Sequence, residues 1–156
     1  MEHELLQTLH DFIVRAKWAT YVGSGHKLLP YRLGSYDLQF ADGDWAYHDS
    51  YLGDSDFIGQ EVVYYRGQIV WGMNYFGRIL RLDLISPAQA GQVIKSSLSA
   101  MYREGRFLGG FEHTLDDFTY VDTSDGDVQF FQGREWITRE GTRAYELVYH
   151  GGLVRD

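Results

Sequence analysis

Apolar positions change their period twice along the chain, and the changes divide it into elements. Between residues 3 and 18, Leu5, Leu9, Phe12, Ile13 and Ala16 recur at helical spacing and form one apolar stripe. Gly23 and Gly25 follow and suit a helix stop. From residue 35 to 77 the period becomes two. Tyr36, Leu38 and Phe40 alternate with polar residues, Asp42-Gly43-Asp44 marks a turn, and Trp45, Tyr47, Asp49 and Tyr51 share a face of the next strand. The stretch FIGQEVVYYRGQIVWGMNYFG, residues 57–77, then reads as a hairpin turning at Arg66-Gly67.

A second helix has the sharpest boundaries. Ser86 is an N-cap candidate, Pro87 suits the first helical position, and Gln89 completes a capping box. Ile94, Leu98, Met101 and Tyr102 give its buried face, and Gly105 stands past its end. Beyond it FTYVDT (118–123), VQFF (128–131), REWITR (134–139) and TRAYELVY (142–149) read as strands. Asp125-Gly126, Gln132-Gly133 and Glu140-Gly141 would separate them as tight turns of an antiparallel meander. The expected fold is α+β: one domain over residues 1–156, with two main helices on one face of a strongly twisted, mainly antiparallel sheet of six to eight strands.

The halves echo each other. EVVYYRGQIVW (61–71) and DVQFFQGREW (127–136) share an acid, Val, paired aromatics, a glycine turn and Trp, which suggests duplication of a helix-plus-hairpin unit.

A two-residue turn at Arg66-Gly67 sets 63 opposite 70 and 61 opposite 72. One hairpin face then collects Ile58, Val62, Tyr64, Ile69, Trp71, Met73 and Tyr75, and should take the helices. The other carries Gly59, Glu61, Val63, Val70, Gly72 and Asn74. Glycines around one carboxylate leave a recess with an acid and an amide at its floor. Asp49, framed by Tyr47 and Tyr51 on the preceding strand, could widen it. The expected ligand-binding residues are therefore Tyr47, Asp49, Tyr51, Glu61, Gly72 and Asn74. Carboxylates among aromatics serve as hydrogen-bond acceptors for a polar or cationic ligand, or as acid and base. Under the same turn rule Glu135 would lie opposite Glu146, a like-charge pair offset by nearby arginines.

Composition removes several alternatives. At 44% hydrophobic and 23% charged the chain is globular in type. Its net charge of -8 and the lack of a basic stripe argue against direct nucleic-acid binding. Without cysteine there is no thiolate chemistry and no cysteine-held metal. His48-Asp49, Asp54-x-Asp56 and His113 with Asp116 and Asp117 lack the spacing of a known metal helix or loop, so neither metal nor cofactor is expected. Ser50 and Ser55 stand outside any G-x-S-x-G. No apolar run reaches membrane-spanning length and the N-terminus does not read as a signal peptide, so a cytoplasmic location is expected, with no membrane partner.

AKWATYVG (16–23), YHDSYLGDSDFIGQEVVYYRGQIVWGMNYFG (47–77) and YELVYHGGLVRD (145–156) carry a family resemblance. The chain resembles a group of uncharacterised bacterial domains that occur alone or after a helix-turn-helix region in regulator-like proteins. The resemblance implies a bacterial, soluble, single-domain protein and supplies no catalytic residue. The leading expectation is a module that binds or senses an unidentified small molecule. An enzyme with Asp49 and Glu61 as acid/base pair on a sugar-like substrate is the second. An interaction domain, acting as a homodimer through its aromatic-rich sheet, is the third.

Overall fold

A computed structural model describes residues 2–21 and 26–156. The expected helix stop at Gly23 and Gly25 lies outside them. Helix α1 (His3–Tyr21) leads into β1 (His26–Leu28), β2 (Tyr36–Asp42), β3 (Trp45–Gly53), β4 (Asp56–Tyr65) and β5 (Gln68–Ile79). Helix α2 (Pro87–Arg103) leads into β6 (Phe111–Leu115), β7 (Phe118–Asp127), β8 (Phe130–Arg139) and β9 (Thr142–Leu153). All the strands join one sheet in the order β1-β2-β3-β4-β5-β9-β8-β7-β6, antiparallel throughout. Two meanders, each preceded by a helix, thus meet at the β5–β9 seam.

The α+β class is as expected, but the described residues form nine strands, not six to eight. The additions are the edge strands β1 and β6, of three and five residues, too short to establish a period in sequence. Gln132-Gly133 is not a turn: β8 runs straight through it, pairing Gly133 with Tyr149. Asp125-Gly126 is not a turn either, since it lies within β7 and pairs with Gln132 and Phe131, and the turn between β7 and β8 falls at Val128-Gln129.

Helix α2 begins as its sequence dictates. Ser86 Oγ accepts from the Gln89 N–H at 3.1 Å, and Gln89 Oε1 accepts from the Ser86 N–H at 2.9 Å. Ala90, Val93, Ser97 and Met101 are buried along it. On α1 the buried stripe is Leu9, Phe12, Ile13 and Ala16, with Lys17 continuing it. Burying one large apolar side chain of this kind is worth about 1.5–3 kcal/mol. The core lies between these stripes and one face of the sheet, where Trp71, Tyr47, Tyr120 and Tyr145 are almost wholly buried. On the other face Ile58, Phe76 and Val148 form an exposed cross-strand row.

Two β-bulges decide which side chains meet the helices. Along β4–β5, Tyr64 pairs with Ile69 but Val63 pairs with Trp71, leaving Val70 as the extra residue. Along β8–β9, Thr138 pairs with Arg143 but Ile137 pairs with Tyr145, leaving Ala144 extra. One extra residue changes which positions of two strands share a face. Glu61 therefore pairs with Met73 instead of Gly72, and shares the buried face with Trp71 and Tyr75. Glu135 likewise pairs with Leu147, so the expected Glu135–Glu146 pair does not form. Glu146 instead accepts from Arg78 at 3.0 Å.

The same bulges mark an internal repeat. A shift of 74 residues carries Gly59, Glu61 and Val70 onto Gly133, Glu135 and Ala144, and the β4–β5 hairpin onto β8–β9. The match expected between 61–71 and 127–136 gives way to this one, since it would set Glu61 on Asp127 instead of Glu135.

Candidate ligand-binding site

Asp49 and Glu61 are direct cross-strand partners on β3 and β4, both facing the helices and both buried. The element that organises them is Gly59. Tyr51 pairs with it on one side and Tyr75 on the other. A Cβ at Gly59 would lie 2.3 Å from Cζ of the Tyr75 ring, so only glycine lets that ring cross β4. The crossing brings the Tyr75 hydroxyl to Asp49 Oδ1, to which it donates at 2.7 Å. Glu61 accepts from the Tyr47 hydroxyl and from Lys17 Nζ, which lies 2.9 Å from each of its carboxylate oxygens. The lysine head also lies 5.5 Å from the centre of the Phe107 ring.

The second meander repeats the arrangement. Asp122 and Glu135 are cross-strand partners on β7 and β8. A Cβ at Gly133 would lie 2.1 Å from Cζ of Tyr149, whose ring crosses β8 so that its hydroxyl donates to Asp122 Oδ1 at 2.8 Å. Glu135 accepts from the Tyr120 hydroxyl, as Glu61 does from Tyr47, and from the Tyr145 hydroxyl at 3.0 Å.

Both carboxylate pairs line one cavity of about 620 Å³ between the helices and the sheet. Its wall is mainly apolar and aromatic, with Tyr51, Phe57, Phe107 and Leu147 among its residues, and Tyr36 and Ser55 lie toward the solvent side. Among the described lining residues the carboxyls are Asp49, Asp54, Glu61, Asp122 and Glu135, against the ammoniums of Lys17 and Lys95. Acid groups therefore exceed bases, which disfavours anions inside.

Enclosure shifts the acids. Burial, and next the charge of Glu61, push Asp49 up to about 8 against the opposing pull of the Tyr75 hydroxyl and Lys17. Burial pushes Glu135 up to about 7, with the Tyr120 hydroxyl opposing and Asp122 adding. Burial raises Asp122 to about 6, held back by the Tyr149 hydroxyl and by Lys17. The hydroxyls of Tyr21 and Tyr102 are pushed well up, chiefly by burial and then by surrounding tyrosines and carboxylates. Side-chain polar atoms that are fully enclosed all have partners among the described residues. Among those residues the hydrogen bonds reach Asp49 only at Oδ1.

The six expected site residues separate. Asp49, Tyr51 and Glu61 line the cavity. Tyr47 stands behind Glu61 as its donor and is fully buried. Gly72 and Asn74 lie on the opposite sheet face because of the bulge at Val70, and Asn74 there accepts from Gln60 at 2.8 Å. Sequence reasoning passed over Lys17, Tyr75 and the whole Asp122–Glu135 half. Their signals were a lysine continuing the Leu9–Ile13 spacing, and Tyr-x-Asp followed by Gly-x-Glu, present at 47–61 and again at 120–135.

Among the described residues no group of three or more metal-ligating side chains converges, and no helix is long and apolar enough to cross a membrane. The model of DUF5680, described as a domain of unknown function, matches residues 49–154. No curated protein and no solved structure matches the chain.

Proposed function

The chain belongs to the DUF5680 family, and from that premise we propose that this domain binds a small molecule in the cavity between its helices and its sheet. The observation that carries this reading is the cavity itself. About 620 Å³ is within the usual range for small-molecule sites, and its make-up, apolar walls with a few fixed polar groups, is theirs too. Asp49 supplies the anchor: its Oδ1 is held by Tyr75, while Oδ2 has no donor among the described residues. The ligand offers a hydrogen-bond donor to this oxygen and lays an apolar or flat body against Tyr51 and Phe57.

One observation favours a second reading, an acid/base enzyme. The Asp49 carboxyl, pushed up to about 8, faces Glu61 directly across the ladder, a pairing suited to moving a proton near neutral pH. The two readings share the cavity and differ in turnover.

A thermal-shift panel of sugars, nucleotides, amino acids, polyamines and neutral aromatics tests both. A ligand at about 100 times its Kd adds roughly 2.7 kcal/mol, enough to raise Tm by several degrees. The expected result is a shift in the wild type that shrinks in folded Asp49→Asn. A panel with no shift, together with no uptake of the neutral dye Nile red, would sink the binding reading. Loss of the bound compound to product, abolished by Asp49→Asn, would favour the enzyme.

A further inference from the structure

The two half-sites match in the sheet and differ in the helix above them. A shift of 81 residues carries Leu9, Phe12 and Ala16 of α1 onto Ala90, Val93 and Ser97 of α2, all of them buried. It also carries Tyr21 onto Tyr102, and both tyrosines line the cavity. Under this shift the counterpart of Lys17 is Leu98, which lines the cavity as well. The first carboxylate pair thus has an ammonium supplied by the chain, and the second has a leucine in its place.

We infer that the ligand is an amine, and that its ammonium seats on the Asp122–Glu135 pair as Lys17 Nζ seats on Glu61. This deepens the reading of the cavity as a binding site and rests on it. The first half-site shows what the constellation accepts: a primary ammonium bonded to the glutamate and set over an aromatic ring. The second half-site is prepared in the same way. Hydroxyls of Tyr120 and Tyr145 orient Glu135, and that of Tyr149 orients Asp122. Among the described residues no cation lies within ion-pair distance of either acid. Of the two basic influences on Asp122, Lys17 has its ammonium bonded to Glu61, and Arg106, the weaker, spends its guanidinium on Glu104 and on the carbonyls of Leu108 and Gly110. Charge-assisted bonds are roughly twice as strong as neutral ones, so the pair discriminates for an amine over an alcohol of the same shape. Tyr102, Phe107 and Leu147 offer the amine an apolar wall.

The test is calorimetric titration of the full chain at pH 8 with 2-phenylethylamine and with 2-phenylethanol, which share a body. The amine is expected to bind at least about tenfold more tightly. Glu135→Gln should remove most of that preference. Leu98→Lys, which supplies the second pair with its own ammonium, should abolish amine binding with the near-UV circular dichroism unchanged. If Leu98→Lys does not fold, the nearly isosteric Glu135→Gln decides. Equal binding of amine and alcohol overturns the inference and leaves the cavity reading standing. Uptake of Nile red with no binding of the amine does the same. Amine binding indifferent to Glu135→Gln overturns the placement, and failure of all three compounds to bind overturns both readings.

Discussion

Lys17 Nζ stands 2.9 Å from both carboxylate oxygens of Glu61, and neither side chain is more than 5% exposed. A lysine on the buried stripe of a helix is tolerable only because the sheet presents an acid beneath it, and the bulge at Val70 sets that acid opposite Met73, on the same face as Trp71 and Tyr75. Removing one partner strands the other charge in the core. Lys17→Met and Glu61→Gln should each cost about 3–5 kcal/mol. The double variant should lose clearly less than the sum, with a coupling of about 0.5–3 kcal/mol in a urea-unfolding cycle. Additive losses would show that the pair is not energetically linked.

Gly59 and Gly133 are the windows through which Tyr75 and Tyr149 reach Asp49 and Asp122. Alanine at either place sets a methyl against a buried ring and should cost about 1–3 kcal/mol. The control is Gly91, in α2, where an added Cβ meets nothing within 4 Å. Gly91→Ala should stabilise by about 0.5–1 kcal/mol, since glycine in a helix interior is the poorer former. Urea midpoints at constant m report all three changes. Equal effects at Gly59 and Gly91 would mean that the ring crossing does not constrain the sheet.

Ser86 should be the most predictable position in the chain, because its role is legible in the sequence alone. Ser86-Pro87-x-Gln89 spells a capping box, and the reciprocal bonds are present. Ser86→Ala should cost about 1 kcal/mol, and Ser86→Asn far less. Helical unfolding followed by far-UV circular dichroism checks the difference; equal losses would contradict the cap.

Register was far less legible than the cap, and for a physical reason. Alternation tells which residues share a face of one strand, but pairing between strands depends on the count between them. A single extra residue at Val70 or Ala144, neither a turn former, exchanged the partners of Glu61 and Glu135. Asp49, Tyr51 and Glu61 do come together, but Glu61 was expected beside Gly72 and Asn74 on the face away from the helices, where only those two lie. Gly133 misled in another way. Glycine usually marks a turn, yet here it marks a ring crossing, a role set by Tyr149 sixteen residues further on. The second half-site was encoded all the same, as a repeated Tyr-x-Asp and Gly-x-Glu, but its one-residue insertion between the two words hid it from a fixed-offset comparison.

The raised acids fix the sign of the stability–pH curve. Asp49, Glu135 and Asp122 titrate at about 8, 7 and 6 in the folded chain, above the values of about 3.9 and 4.3 for free Asp and Glu. Between those limits the folded state binds more protons than the unfolded one, so stability falls as pH rises. Their contribution is complete below about pH 4, is lost through the folded values, and is exhausted above about pH 8. Asp37 acts oppositely. Burial alone would raise it, but donors including Ser35, the Tyr31 N–H and His48 outweigh burial and bring it to about 2, so its contribution disappears only as pH falls below 4. Urea unfolding at pH 5, 7 and 9 should therefore give decreasing stability, and Asp49→Asn should flatten the upper part of that decline. A curve that rises from pH 5 to 9, or a slope unchanged in folded Asp49→Asn, would mean that the cavity acids are ionised in the folded protein. An amine bound there competes with these same protons, so its affinity should increase over the interval in which the empty protein loses stability.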